Sequence, residues 1–251
     1  IIDIPESSPG ARDEARPTIA GSTGAAITLA DNDEVANFLI ENGFDGIDGA
    51  STAGVTNPNL HDLTIQNMSG TGIHLRAGAR VDTEDADGDG NTNDLRIPFA
   101  VEATNITFDE VSVHGLHINA QAFHDGSPVD PTAPNVDMEG DITVTNIQST
   151  GGIQPSLFAT NLVEADGQGK MTINGYDYDG KTTGTGGLEF EDISAELIIQ
   201  NFTARNGIGP AASFTRLSTN GIVNVDNMAY DGGTAGAGGL KFDDVDSDNG
   251  A

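Results

Sequence analysis

The sequence predicts an all-β chain wound into a parallel β-helix. It should be a solenoid of about seven coils of 25–26 residues with two long loop insertions. Three observations lead there. A six-residue pattern (apolar, polar, apolar, polar, Asn-like, apolar) recurs seven times. Its alternation has a period of two, which marks strand rather than helix. Glycine is abundant, at 33 of 251 residues, as turn-rich chains of short strands require.

The elements follow in chain order. Residues 1–20 carry Pro5, Pro9 and Pro17 among scattered charges and read as an extended segment, linker or cap, with the helix occupying 21–251. The seven copies are Phe38–Gly43, Leu63–Met68, Ile106–Val111, Ile142–Ile147, Met171–Tyr176, Leu197–Phe202 and Val223–Met228. Their first residues are separated by 25, 43, 36, 29, 26 and 26. The two longest gaps place insertions at about 78–95 and 121–135, each after the second strand of its coil. Loops leaving the same edge of adjacent coils should lie side by side, where solenoids usually place function. The second strand opens with Gly in Gly72-Ile73-His74-Leu75, Gly115-Leu116-His117-Ile118, Gly187-Leu188-Glu189-Phe190 and Gly239-Leu240-Lys241-Phe242. A third strand is expected around Phe99, Phe158, Phe190, Phe214 and Phe242. A coil this short cannot bury its apolar face alone, so the coils must stack.

The fifth place of the pattern holds Asn42, Asn67, Asn146, Asn201 and Asn227, with Gly175 and Glu110 in the other two copies. Asn and Gly tolerate the left-handed backbone a sharp turn needs. A buried Asn ladder, each amide bonded to the next coil, is the expectation here.

The stretch Ile27-Thr28-Leu29-Ala30-Asp31-Asn32, then Val35 to Ile40, then Asp45-Gly46-Ile47, resembles the repeats of right-handed parallel β-helix proteins of the pectate-lyase-like superfamily. The likeness is to the large bacterial surface and exported members, and it runs over about residues 25–250. It implies the fold. That scaffold hosts lyases, hydrolases, adhesins, tailspikes and filament subunits, so it leaves function open.

Composition narrows the function classes. With 39 acidic and 10 basic residues the formal charge is −29, which repels nucleic acid and anionic membranes. The absence of cysteine rules out disulfides, thiolate metal sites and cysteine nucleophiles. No apolar run approaches the ~20 residues of a membrane-spanning helix. The chain starts at Ile1 rather than Met, which reads as a processed product or a piece of a longer protein.

The clearest motif lies in the first insertion, Asp85-Ala86-Asp87-Gly88-Asp89-Gly90-Asn91-Thr92-Asn93-Asp94. Oxygen ligands two residues apart, with Gly at the sixth place, follow the start of a calcium loop. Asp85, Asp87, Asp89, Asn91 and Asp94 are the candidate ligands. Arg96 stands at the twelfth place, where an EF-hand has a bidentate Glu, and no helix flanks the loop.

The histidines form a second constellation. His74 and His117 occupy the same outward place in adjacent coils and should stack, with His114 at the turn and His124 in the second insertion. With Arg76 nearby, the group suits sugar binding, metal binding or general-base work; the bland reading is exposed strand histidines in chance register. His74, His117 and Arg76 are thus weak catalytic candidates.

A lyase of this superfamily would pair a cation with a basic residue, for which Arg76, Arg80 and Arg96 are available. A hydrolase would need paired carboxylates. The outward column Gln66, Asp109, Thr145, Asn174, Gln200, Asp226 offers only isolated acids. Thr64, Thr107, Thr143 and Thr172 form one outward column, whereas ice binding would prefer two. The sequons at Asn67, Asn105 and Asn201 read as incidental, two of them falling on ladder places expected to be buried.

The sequence therefore points to an extracellular or cell-surface structural protein, an adhesin-type or matrix/filament subunit stabilised by calcium. Its expected partners are itself, end to end through coil edges, and surface polysaccharide, with no nucleic acid and no membrane insertion. The alternative is a polysaccharide-active enzyme or carbohydrate-binding module on the insertion face.

Overall fold

The fold is a parallel β-solenoid. The computed structural model describes residues 16–50, 54–81, 95–124, 127–128, 136–162, 169–181, 183–217, 222–232 and 238–245. Two parallel sheets run the length of the molecule, and the chain visits them alternately. The long-strand sheet stacks Thr18–Ala20, Leu39–Glu41, Asn59–Gln66, Val101–Asp109, Ile142–Thr150, Lys170–Asp179, Glu196–Arg205 and Val223–Asp231, with Glu34–Ala36 beside the third. The short-strand sheet stacks Ala25–Thr28, Asp45–Gly49, Ile73–Gly78, Leu116–His124, Leu157–Leu162, Leu188–Ile193, Ala212–Leu217 and Leu240–Val245. Each sheet shows eight rungs among the described residues. At about 4.8 Å per rung the stack is on the order of 40 Å long.

Between the sheets lies one apolar core. Its inward columns run from rung to rung, as in Leu63–Ile106–Ile147–Tyr176–Phe202. All five of these side chains are buried. The buried Tyr176 hydroxyl is satisfied by Ser156 Oγ at 2.5 Å.

Each long strand bends at a residue with left-handed backbone. Asp62, Asn105, Asn146, Gly175, Asn201 and Asn227 hold this mid-strand place, with φ between 52° and 75°. The bend inserts one extra outward residue, so both halves of the strand turn apolar side chains to the core. In Asn59–Gln66, for example, Leu60, Leu63 and Ile65 are buried while His61 and Asp62 face out. A second left-handed column ends the strands, at Asn42, Asn67, Glu110, Gly151 and Asn206. Asn supplies most of these positions because its short amide offsets part of the steric cost.

This two-column arrangement corrects the repeat alignment. The fifth place of the pattern falls on the strand-end column in the first three copies and on the mid-strand column in the last four. Val101, not Ile106, lies beside Ile142, and Asn105 lies beside Asn146. One long strand contains two similar half-repeats, and only packing against the opposite sheet distinguishes them. Asn105 and Asn146 are 41 residues apart against 26 for Asn201 and Asn227, so the second insertion adds 41 − 26 = 15 residues.

Three other expectations change with it. Thr64 pairs with Thr107, and Thr143 with Thr172, but the two pairs belong to different columns. The outward polar column likewise splits into Gln66–Asp109–Thr150–Asp179–Arg205–Asp231 and Thr104–Thr145–Asn174–Gln200–Asp226. No separate third strand centres on Phe190, Phe214 and Phe242, which form one inward column of the short-strand sheet. Among the described residues a third sheet lies beside the insertions, where Leu95–Pro98 pairs in parallel with Val136–Glu139 and antiparallel with Arg80–Val81. The returns of the two insertions therefore do run side by side.

Candidate functional site

The outer face of the short-strand sheet carries the densest cluster of chemistry-bearing side chains. Strand pairing sets Asp48, His74, His117, Phe158, Glu189, Ser213 and Lys241 in one outward column. The glycines that open the strands, Gly72 and Gly115, bring His74 and His117 into the same register. A Cβ at Gly115 would meet the Phe108 ring and the Ser156 carbonyl at 2.9 Å, so the close approach requires glycine there.

The expected stacking is present. The His74 and His117 rings lie 4.5 Å apart and 9° from parallel. Phe158 continues the strip, 5.0 Å from His117. His114 closes it from the turn, edge-on to His117 at 5.4 Å and stacked on Phe158 at 5.1 Å. Phe158 thus faces outward on this strip rather than centring a core strand. His114 Nδ1 donates to the Pro155 carbonyl at 2.8 Å, which assigns that proton.

The strip is neutral. Burial holds the His74 and His114 imidazoles below their ordinary value, against the pull of Asp48 on His74 and of the Pro155 carbonyl on His114. His117 is pushed down to about 3 by burial, then by the positive charge that His74, His114 and Arg76 can carry beside it. Asp48 Oδ1 lies 3.8 Å from His74 Nδ1, too far for a hydrogen bond. The buried Nε2 of His117 has no hydrogen-bond partner among the described residues. A general base works best with a pKa near the working pH, so His117 is poorly suited to that role. Three neutral imidazoles and a phenyl ring make a half-buried aromatic surface instead.

Arg76 lies half-buried in the next outward column, beside Asn119. Arg80 and Arg96 are neighbours in strand register, and Arg96 also pairs with Asp137. Asp85, Asp87, Asp89, Asn91 and Asp94 lie outside the described residues, so the calcium loop is an expectation only. His124 ends its strand opposite Ser127. Among the described residues no group of three or more His, Asp or Glu is arranged to hold a metal ion.

The outer face of the long-strand sheet is different. Its polar side chains reach from rung to rung. Asn105 Nδ2 donates to Asp62 at 3.1 Å, Asn146 Nδ2 to Asn105 at 3.2 Å, and Asn227 Nδ2 to Asn201 at 2.6 Å. The ladder exists, but its asparagines are exposed, which corrects the expectation of burial. The left-handed bend points them outward. The sequons at Asn67, Asn105 and Asn201 therefore sit on the surface, and the Asn105 and Asn201 amides are engaged in the ladder.

Gly175 interrupts this ladder. A Cβ there would meet Asn146 Oδ1 at 2.9 Å, and Asn201 bonds instead to Asn174 at 2.8 Å. The gap leaves a shallow polar trough of about 310 Å³ between Asn146, Gln148, Asp177, Asn201 and Thr203.

Acids on this face are not all isolated. Asp177 and Asp179 project from one strand, and Arg205 ties them together at 2.7 and 3.1 Å. Lys181 bridges Asp109 and Glu110 at 3.3 and 2.7 Å. The single outward column expected from the sequence hides both groups, because it mixes the two halves of the strand.

Sequence reasoning also missed His61. Its Nδ1 lies 2.9 Å from Asp62 and its Nε2 3.0 Å from Glu34. Both partners only accept, so satisfying both requires the imidazolium. The Asp62 and then the Glu34 hydrogen bonds hold the His61 pKa above its ordinary value. The signal was a Glu one coil before a His, readable only with the register in hand.

No family model matches this chain, and neither a curated protein nor a solved structure matches it.

Proposed function

We propose that this chain is an extracellular or cell-surface structural β-solenoid of the adhesin, matrix or filament type. In this reading it is a right-handed member of the pectate-lyase-like class. One observation carries the reading: the outward polar groups of the long-strand sheet bond the neighbouring rungs to each other. Asn105, Asn146, Asn227 and Arg205 make such bonds, and Lys181 reaches two rungs back to Glu110. A stack whose rungs are cross-linked inside and outside is a stiff rod. Its acidic coat keeps it soluble in salt, and calcium pins the loop at Asp85, Asp87, Asp89, Asn91 and Asp94.

Stretching single chains tests the mechanical reading. A solenoid releases its rungs in steps, because each rung contacts only its neighbours. Steps of about 26 residues, roughly 90 Å of contour, are the expected record. One abrupt, low-force extension would overturn it. Calcium titration by calorimetry tests the loop: the chain should bind, and the double variant Asp87→Ala, Asp89→Ala should not.

A second reading is a carbohydrate-binding module, favoured by the neutral, half-buried aromatic strip of His74, His117 and Phe158. Affinity electrophoresis against neutral and acidic polysaccharides would show retardation lost in Phe158→Ala.

A further inference from the structure

Away from the last described rung, three large apolar side chains are exposed among the described residues: Phe44 at 51%, Ile153 at 57% and Ile208 at 42%. All three lie on one edge of the solenoid, where turns carry the chain from the long-strand sheet to the short-strand sheet. Backbone hydrogen bonds step along this edge from rung to rung. The Phe44 N–H donates to the Ser22 carbonyl, Ser69 to Gly43, Ser112 to Met68, Thr185 to Ile153 and Ile208 to Gly184. One residue of each turn therefore stands outward in a single column: Phe44, Ser69, Ser112, Ile153, Thr185, Ile208. Ser69 and Thr185 are exposed and Ser112 is half-buried. Six rungs at about 4.8 Å make this column on the order of 25 Å long. The two insertions leave from the ends of the short strands, at the opposite edge.

The edge is also uncharged. Residues 43–44, 68–72, 111–115, 151–156, 183–187 and 207–211 include no Asp, Glu, Lys or Arg, in a chain with 39 acidic and 10 basic residues. His114 is the one titratable side chain among them, and burial holds it neutral. A basic partner would be drawn to the acidic coat elsewhere, whereas a partner of like charge meets least repulsion here. Apolar side chains set at the rung pitch are matched along their length by another edge of stacked strands. A second copy of the chain meets both conditions.

We propose that this edge docks a second copy of the chain, the two columns packed antiparallel through Phe44, Ile153 and Ile208. The inference rests on the structural reading above and names a partner for it. A two-fold axis across the Ser112 turn sets Ile153 of one copy against Ser69 of the other, and Phe44 against Thr185. Each bulky side chain then fills the gap over a small one, as close packing requires. The same patch is used by both copies, so the contact closes at two chains. Chains of charge −29 repel one another at long range, so the pair strengthens as salt screens them.

The test is sedimentation equilibrium over a range of salt, with chain concentrations from about 1 μM to about 1 mM. The expected result is a monomer–dimer equilibrium whose Kd falls as salt rises. Ile153→Asp should raise that Kd at least tenfold. Ile208→Asp serves if Ile153→Asp loses its strand circular dichroism. Gln148→Glu adds a charge to the exposed face of the long-strand sheet and should pair like the parent chain. The chain has no cysteine, so Ser112→Cys supplies a single thiol at the axis. A short bismaleimide should join two such chains far faster than it joins two Gln148→Cys chains. A chain monomeric under every condition overturns the proposal, as does growth beyond two chains or a Gln148→Glu variant weakened as much as Ile153→Asp. Equal cross-linking rates overturn the two-fold packing. A monomer with stepwise stretching intact removes this inference alone; loss of the steps removes the structural reading beneath it.

Discussion

The two outer faces of the solenoid solve the same problem with opposite chemistry. On the long-strand sheet, amides and ion pairs link rung to rung: Asn146 to Asn105, Arg205 to Asp177, His61 to Glu34. Over the middle of the short-strand sheet, rings link them: His74 to His117 to Phe158. The rung spacing of about 4.8 Å suits either a hydrogen-bonded side-chain ladder or offset ring stacking. The difference lies in what each face tolerates. Hydrogen-bonded charges sense salt, and His61 keeps its proton to a higher pH than a free imidazole. The half-buried strip senses acid, because its histidines are held neutral.

Acidification should produce the largest separation. His117 has a folded pKa of about 3 against an unfolded value near 6.5. Below pH 6.5 the unfolded chain takes up a proton that the folded chain refuses, so stability falls with pH. The loss reaches on the order of 4 kcal/mol by pH 3. Urea melts from pH 7 to pH 4 should show a smaller decline in His117→Phe than in the parent chain. Equal declines would mean that the strip is not the acid-sensitive element.

Next in size is the ladder. Asn146 stands at φ 52° and donates to Asn105. Asn146→Ala should cost about 1–2 kcal/mol, since alanine pays the left-handed strain without the bond. Asn146→Gly relieves the strain and should cost less than half as much by the same urea melts. An alanine variant as stable as the parent would make the ladder ornamental.

Arg205→Ala should cost less, under about 1 kcal/mol at low salt, because both pairs are largely exposed. Denaturation at about 1 M salt should erase the difference, as screening weakens the parent pairs. A difference that persists there would assign Arg205 a packing role.

The smallest effect belongs to His61→Gln. The His61 folded pKa is raised, so its contribution is fully present below pH 6.5 and lost as pH rises through the folded value. Melts should separate parent from variant by about 0.5 kcal/mol at pH 6 and not at all at pH 9. A gap that widens with pH would reverse the assignment.

Some of this was legible in the residues. The period-two alternation and the 25–26 spacing specify stacked strands, because no other arrangement buries apolar faces that recur at that interval. The stacking of His74 on His117 was legible too, since Gly72 and Gly115 anchor both strands two residues earlier. The Asn positions were recognisable as left-handed places, but not which side of the sheet they face.

What the residues alone determined is the solenoid, its rung length and the register of His74 on His117. Only the tertiary structure decided the register of the long strands, because each contains two similar half-repeats and the choice depends on which half meets which part of the opposite sheet. It also decided the charge of the histidines. His61 meets Glu34 from the preceding rung, while His117 is enclosed by His114, His74 and Phe158 from three separate strands and turns. Protonation depends on that assembled surrounding, and a linear sequence does not contain it until the rungs are stacked.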